Sequence, residues 1–132
     1  MVGARGEDGL NAAVEEIERA GSEALAVAGD VAEREYSEEL VRAALDRFGR
    51  IDTFVANAIV TVYAEVEQLE PDELRRVMDV HFFGVAYGYW AALPALKESY
   101  GTFLHVSSAL AYQRQAKDSS LWTRLRLLIP KG

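Results

Sequence analysis

Short apolar runs alternate with amphipathic helical segments along most of this 132-residue chain. Four runs are short enough to be buried strands, at residues 1–4, 24–28, 53–56 and 102–106. The three segments between them repeat apolar residues at steps of three and four, the spacing of a helix with one buried face. Strands joined by helices form a parallel sheet with right-handed crossovers. The pattern therefore predicts an α/β fold, and the length allows one domain.

Several residues mark where the helices are expected to begin and end. Gly21 and Gly49 follow two of the helical patterns at the position of a C-terminal cap, and Ser37 is placed to cap the second helix. Pro71 precedes the third pattern, where proline favours a helix start. That pattern continues toward Pro94, where we expect either one long helix or a break into two.

The composition narrows the classes of function. The net charge of −7 would repel phosphate backbones, so we expect no nucleic-acid partner. The chain has no cysteine, which excludes a disulfide framework and thiolate chemistry. No apolar run approaches the roughly 20 residues of a membrane-spanning helix, and residues 1–6 contain no stretch of signal-peptide type. We therefore expect a cytoplasmic protein without a membrane partner.

Charge is distributed unevenly along the chain. Residues 113–132 hold five basic groups and one acidic group, whereas residues 1–112 hold nine basic and 20 acidic groups. This contrast predicts a domain over residues 1–112 followed by a divergent basic tail over residues 113–132. A change of reading frame near residue 113 would explain the contrast, and so would a basic surface segment that arose by chance.

Polar residues follow the strands, where ligands of open α/β sheets bind. The strings at residues 2–5, 28–31, 49–58 and 106–109 resemble, in order and separation, the short-chain dehydrogenase/reductase family. The resemblance covers roughly residues 2–112. It implies a partial Rossmann-type doubly wound parallel sheet that lacks the first strand and the C-terminal strands. It also implies an NAD(P)(H)-dependent oxidoreductase acting on a small-molecule alcohol/carbonyl pair.

The resemblance implies a cofactor site made of Arg5, Asp30, Val31, Asn57 and Ala58. A guanidinium offers a planar fork to phosphate oxygens, so Arg5 would meet the 2′-phosphate and favour NADP(H) over NAD(H). Asp30 would accept a hydrogen bond from the adenine amino group, and Val31 would pack near the ring. Alternatively, Arg5 is a solvated loop residue and Asp30 a helix-capping or turn residue.

Two positions depart from the family pattern. Ile59 follows Asn57-Ala58 where the family has a glycine, which can adopt positive φ or let the backbone pass close to the cofactor. His81 stands where the family has an asparagine that helps to hold a water in the proton relay. A histidine can also donate and accept hydrogen bonds. The alternative is a helix histidine satisfied by packing.

The catalytic set is incomplete. The resemblance makes Ser108 the residue that polarises the substrate carbonyl. The family's tyrosine and lysine would fall at Leu121 and Leu125, and neither side chain can transfer a proton. Tyr112 and Lys117 lie too early and five apart, which does not stack on a helix as four apart does. We expect no catalysis by this fragment, and no motif indicates a metal.

The family's first strand and its glycine-rich turn, which places the pyrophosphate at a helix N-terminus, have no counterpart in this sequence. In the family that strand lies between the strands that correspond to residues 2–4 and 53–56. We therefore expect these two strands either to pair directly or to leave unpaired edges, and cofactor binding to be impaired.

Two other classes of function compete with the dehydrogenase interpretation. The chain could be a non-catalytic remnant or interaction module that dimerises through the helical region 71–99, which resembles the family's dimer-contact helix. That region holds more aromatic residues than one core face needs, although ordinary burial against the sheet would also explain them. They are Phe82, Phe83, Tyr87, Tyr89 and Trp90. A methyltransferase-like domain would need a glycine-rich loop, and residues 3–6 make a poor one.

Overall fold

The computed structural model of the protein describes residues 1–107. The strands in this part of the chain are β1 (Val2–Ala4), β2 (Ala26–Ala28), β3 (Thr53–Ala56) and β4 (Thr102–His105). Its α-helices are α1 (Glu7–Arg19), α2 (Arg34–Phe48), α3 (Pro71–Met78) and α4 (Gly84–Ser99). A π-helical segment, Asp79–Phe83, joins α3 to α4 without a break. The predicted alternation of strands and helices is confirmed.

The four strands form two separate two-stranded sheets. β1 pairs in parallel with β2, and β3 pairs in parallel with β4. Among the described residues β1 and β3 do not pair with each other. Of the two arrangements expected for these strands, the structure therefore shows the one with unpaired edges, and the parallel sheet exists as two halves.

Most helix ends fall where the sequence places them. Gly21 and Gly49 have φ values of 86° and 76°, a left-handed conformation that glycine adopts without a Cβ clash. Pro71 is the first residue of α3. A capping box precedes it, in which the side chains of Glu70 and Glu73 each accept a hydrogen bond from the backbone N–H of the other residue. Pro94 lies inside α4, so the third helical pattern is continuous.

The start of α2 differs from the prediction. Ser37 is not the cap residue, because the helix begins at Arg34 and Ser37 lies buried in its first turn. No side chain caps this end by a hydrogen bond. The earlier start places Tyr36 on the helix and directs it toward the first sheet, a contact that no local sequence signal encodes.

Tyr36 fixes α2 to the sheet formed by β1 and β2. Its hydroxyl donates a hydrogen bond of 2.8 Å to the carbonyl oxygen of Val27. A Cβ atom on Gly3 would lie 2.5 Å from the Tyr36 hydroxyl oxygen, and one on Gly29 would lie 2.1 Å from the ring. Both positions therefore need glycine, because the ring lies directly against the backbone there.

The hydrophobic core lies mainly between α2 and α4. Its buried members are Val41, Ala44, Ile51, Ala92, Ala95 and Leu96. Phe54 of β3 stacks on Phe103 of β4 with ring centroids 5.3 Å apart. A Cβ atom on Gly88 would lie 3.0 Å from the Phe54 ring, so this glycine lets α4 pack closely on β3. The second sheet is thus held by α4, and α2 links the two halves.

We expect Tyr36→Phe to lower the free energy of unfolding by about 0.5–1.5 kcal/mol, because the variant loses one net hydrogen bond while keeping the ring. Urea denaturation measures the effect. Tyr63→Phe is the matched control, since Tyr63 is 95% exposed. Equal stabilities for the two variants would show that the bond to Val27 does not hold the sheet.

Candidate cofactor site

A cavity of about 850 Å³ lies between the two sheets, lined by β1 and β3 and by α2. All five residues predicted to bind the cofactor line it: Arg5, Asp30, Val31, Asn57 and Ala58. They follow β1, β2 and β3 at the carboxyl ends of these strands. The structure thus brings the predicted set together, while the role of each residue stays a prediction. Ser108, Leu121 and Leu125 lie outside the described residues.

Asp30 is the most strongly bonded side chain of this set. The Ala32 N–H donates to Asp30 Oδ1 at 3.0 Å, and the Arg76 guanidinium donates to Asp30 Oδ2 at 2.6 Å. The Asp30 and Arg76 side chains are 27% and 32% exposed, so water screens this pair only partly. Each carboxylate oxygen accepts one of these bonds and has lone-pair capacity for another.

Several effects act on the pKa of Asp30. Partial burial raises it, because burial disfavours the charged form. The hydrogen bonds from Ala32 and Arg76 and the charges of Arg76 and Arg5 outweigh the burial, so the pKa lies below its ordinary value. Asp30 is therefore a carboxylate at neutral pH and can act as an acceptor for a donor that enters the cavity.

Arg76 is a site residue that sequence reasoning missed. It also lines the cavity, and it reaches Asp30 from α3, 46 positions along the chain. The sequence shows two adjacent arginines, Arg75 and Arg76, which lie in the last turn of the helix that starts at Pro71. Nothing local marks which of them faces the strands. In the structure Arg75 bonds to Asp72 at the surface.

The loop after β3 is held by His81. The Nε2 atom of His81 lies 2.8 Å from the carbonyl oxygen and 3.1 Å from the amide nitrogen of Val60. This backbone contact favours the structural interpretation of His81 over a relay role. Tyr100 is the one non-glycine residue with positive φ among residues 1–107. Ile59 therefore has a negative φ, which a β-branched residue tolerates.

Helix α4 approaches the cavity through two glycines spaced four apart, Gly84 and Gly88. A Cβ atom on Gly84 would lie 3.0 Å from the carbonyl oxygen of Val31. Glycine at this position therefore lets the start of α4 pack against the turn that follows β2. The contact fixes Val31, one of the predicted cofactor residues.

Residues 1–107 contain neither a candidate metal site nor a candidate membrane span. That part of the chain has no group of three or more His, Asp or Glu side chains placed to hold a metal ion. It also contains no helix that is both long enough and apolar enough to cross a bilayer.

Parallel strands, intervening helices and a cavity at the strands' carboxyl ends define a partial Rossmann-type fold. The family model described as short chain dehydrogenase matches residues 1–120. The chain therefore belongs to the short-chain dehydrogenase/reductase family, whose members are oxidoreductases that bind NAD(P) and act on small molecules.

Similar proteins support this assignment. An oxidoreductase of Methylorubrum extorquens is 37% identical over 102 residues, which are 77% of this chain and 41% of the relative. The trans-4-hydroxycyclohexanecarboxylate dehydrogenase of Sinomonas cyclohexanicum is 38% identical over 85 residues, 64% of this chain and 33% of the relative. The chain thus spans less than half the length of these relatives.

Solved structures show the same fold. The alcohol dehydrogenase from the archaeon Thermococcus sibiricus, complexed with 5-hydroxy-NADP, superposes with a TM-score of 0.79 and is 29% identical; the match covers 92% of this chain and 52% of that one. A 3-ketoacyl-ACP reductase from Sinorhizobium meliloti gives a TM-score of 0.75 at 30% identity, over 80% of this chain and 42% of that one.

We expect Arg76→Gln to raise the pKa of Asp30 toward its ordinary value, because the variant removes a charge and weakens a hydrogen bond. A carbon-detected NMR titration of the carboxyl group measures the shift. Arg75→Gln is the matched control, since the Arg75 side chain is 70% exposed and pairs with Asp72. An unchanged Asp30 pKa in Arg76→Gln would contradict the assignment.

The same variant should show a pH-dependent loss of stability. The lowered pKa means that the Asp30 interactions contribute fully above the unfolded-state pKa, and that this contribution is lost as the pH falls through the folded-state pKa. Arg76→Gln should therefore lower the free energy of unfolding by about 1 kcal/mol near neutral pH, and by less in acid.

Proposed function

We propose that this chain carries the adenosine end of an NADP(H) site belonging to a dehydrogenase/reductase that acts on a small alcohol/carbonyl pair. The observation that supports it most is that Arg5, Asp30, Val31, Asn57 and Ala58 line one cavity at the carboxyl ends of three strands. Chain segments distant in sequence converge there, as binding of one extended ligand requires.

The charges around the cavity support the preference for NADP(H). The guanidiniums of Arg5 and Arg76 both act on the single carboxylate of Asp30, which leaves a local excess of positive charge. The Arg5 side chain is exposed at the end of β1 and has room to meet a 2′-phosphate. The similar alcohol dehydrogenase of T. sibiricus was solved with an NADP derivative.

In this proposal the other residues bind and orient the cofactor. Asp30 accepts the adenine amino hydrogen, Val31 packs on the ring, and the loop at Asn57 and Ala58 contacts the part nearer the nicotinamide. The cofactor supplies the hydride chemistry. Ser108 polarises the carbonyl, but the positions expected for the proton-transferring tyrosine and its lysine are leucines. The cytoplasmic location stays a prediction from composition.

We expect no NADPH oxidation by the 132-residue chain with carbonyl substrates, because a leucine, which cannot transfer a proton, stands at the position of the proton donor. The decrease in NADPH absorbance with time, at a saturating concentration of an aldehyde or ketone, measures the rate of oxidation. Turnover that depends on the carbonyl compound and is abolished in Ser108→Ala would refute this part of the proposal, since it would show a working catalytic set.

Cofactor binding is tested separately from turnover. We expect NADPH to shift the amide NMR signals of Arg5, Asp30 and Asn57, and Arg5→Glu to weaken NADPH binding about tenfold or more while NADH binding changes little. Arg19→Glu makes the same charge change on α1, away from the cavity, and should leave binding unaltered. Equal losses for both variants, or for both cofactors, would count against a 2′-phosphate contact at Arg5.

A second candidate function is self-association through an aromatic ridge formed by Phe82, Phe83, Tyr87 and Trp90. Their rings follow one another with centroid distances of 5.3, 6.1 and 6.1 Å. Phe82 is 60% exposed and Trp90 is 59% exposed, so ordinary burial does not account for them within residues 1–107. Exposed clustered aromatics are typical of protein–protein contacts.

We expect the double variant Phe82→Gln, Trp90→Gln to weaken dimerisation by about tenfold or more, since aromatic anchors dominate such interfaces. Sedimentation velocity over a range of protein concentrations gives the dissociation constant. Tyr63→Gln is the control, because Tyr63 is even more accessible, at 95% exposed, but lies apart from the ridge contacts. A strict monomer for the unchanged chain would exclude this function.

A further inference from the structure

We propose that Arg76 is a positioning residue, which orients the Asp30 carboxylate so that the cavity selects a 6-amino purine over a 6-oxo purine. This role rests on the proposed cofactor site and adds to it the residue that decides which base is accepted. The contact that carries it joins α3 to the turn that follows β2.

The backbone of the turn that carries Asp30 is held by two contacts. The Glu33 N–H donates to the carbonyl oxygen of Asp30 at 2.9 Å, which closes the turn. A Cβ atom on Gly84 would lie 3.0 Å from the carbonyl oxygen of Val31, so the start of α4 packs directly on the next residue. The backbone at Asp30 is therefore fixed, and the rotation of its side chain remains to be set.

Two donors set the rotation of the Asp30 carboxylate. Oδ1 accepts the Ala32 N–H at 3.0 Å, a bond within the turn itself. Oδ2 accepts the Arg76 guanidinium at 2.6 Å. One bond leaves the carboxylate free to turn about the bonded oxygen, whereas one bond on each oxygen fixes its plane. Arg5 favours the charged form of Asp30 through its charge, which does not define a direction.

The pair of Asp30 and Arg76 leaves acceptor capacity for a ligand. Each carboxylate oxygen has two lone pairs, and the two bonds use one on each oxygen. Both residues line the cavity, and their side chains are 27% and 32% exposed. A base that enters the cavity can therefore bond to Asp30 without displacing Arg76. The arginine fixes the acceptor and does not compete for it.

The fixed carboxylate determines which base fits. An ionised carboxylate only accepts hydrogen bonds, so it meets the donating 6-amino group of adenine and opposes the 6-carbonyl oxygen of hypoxanthine. Hypoxanthine carries a donor at the neighbouring N1 atom, which a freely rotating carboxylate could follow. A carboxylate held on both oxygens cannot follow it, and the resulting loss of a partner in a partly buried site costs affinity.

The neighbouring Arg75 has a different environment. Its Nη1 atom donates to Asp72 at 2.8 Å on the surface, where the two side chains are 70% and 90% exposed. Successive residues of a helix point about 100° apart, so Arg75 and Arg76 cannot both face the turn after β2. Arg75→Gln is therefore the same chemical change made at a position that leaves Asp30 untouched.

The test compares NADPH with its hypoxanthine analogue, reduced nicotinamide hypoxanthine dinucleotide phosphate, by calorimetric titration of the full 132-residue chain. We expect the unchanged chain and Arg75→Gln to bind NADPH at least about tenfold more tightly than the analogue, as one bond to a charged group allows. In Arg76→Gln the ratio should fall to about threefold or less. A variant that only destabilised the fold would weaken both ligands by the same factor and leave the ratio unchanged.

A second set of variants shows whether Arg76 acts through Asp30. Asp30→Ala removes the acceptor and should bring the two affinities close together. Adding Arg76→Gln to Asp30→Ala should change the ratio no further, because the carboxylate that Arg76 positions is then absent. A further change of the ratio in the double variant would overturn the positioning role, since Arg76 would then contact the base itself.

The unchanged chain supplies a measurement that needs no substitution. We expect the Arg76 guanidinium to stay paired when NADPH binds, and the exchange of its N–H groups with water to slow about threefold or more because the base covers the pair. Nitrogen-15 NMR of the arginine side chains measures this exchange. Faster exchange in the complex would overturn the proposal, because it would show that the base displaces Arg76 from Asp30.

Failure of this role and failure of the cofactor site give different results. NADPH binding with a ratio that Arg76→Gln leaves unchanged would overturn the role of Arg76 while the cofactor site stands. Tighter NADPH binding by Arg76→Gln would do the same, since the arginine would then compete with the base. Absence of NADPH binding to the unchanged chain would overturn the cofactor site, and the role of Arg76 with it.

Discussion

The arrangement of the two sheets depends on the packing of Tyr36 against the backbone at Gly3 and Gly29. Its hydroxyl bonds to Val27, and Gly3 and Gly29 leave space for the ring. From the same helix Val41 and Ala44 pack into the core formed with α4. Helix α2 therefore holds one sheet by a specific polar contact and is joined to the other through its hydrophobic packing on α4, which in turn packs on β3 and β4. The cavity exists because α2 spans the distance between the two sheets.

Local sequence signals predicted the elements well and their long-range consequences less well. The strand at Thr53–Ala56, the glycine ends at Gly21 and Gly49 and the start at Pro71 all follow from residue type and periodicity. The start of α2 did not, because it depends on where Tyr36 meets the sheet and not on the hydroxyl of Ser37. The π-helical segment also lacks a local signal, since its residues have ordinary helical spacing.

The candidate site shows the same division. The rule that ligands bind at strand ends, together with the family resemblance, selected Arg5, Asp30 and Asn57, and these residues line one cavity. Arg76 was missed because its contact with Asp30 joins positions 46 apart and depends on how α3 is oriented. A sequence shows which residues are charged, but the partner of a half-buried charge is decided by the packing of whole elements.

The π-helical segment Asp79–Phe83 determines how the side chains of α4 are rotated about the helix axis relative to those of α3. Each residue turns an α-helix by about 100°, so one additional residue in a turn rotates everything that follows by that angle. Before the segment, Arg76 points at Asp30; after it, Gly84 faces Val31 and Gly88 faces Phe54. Both sets of contacts therefore require the number of residues between Arg76 and Gly84 to stay the same. Insertions or deletions there would uncouple the carboxylate from the packing of α4, whereas substitutions that keep the count would preserve both.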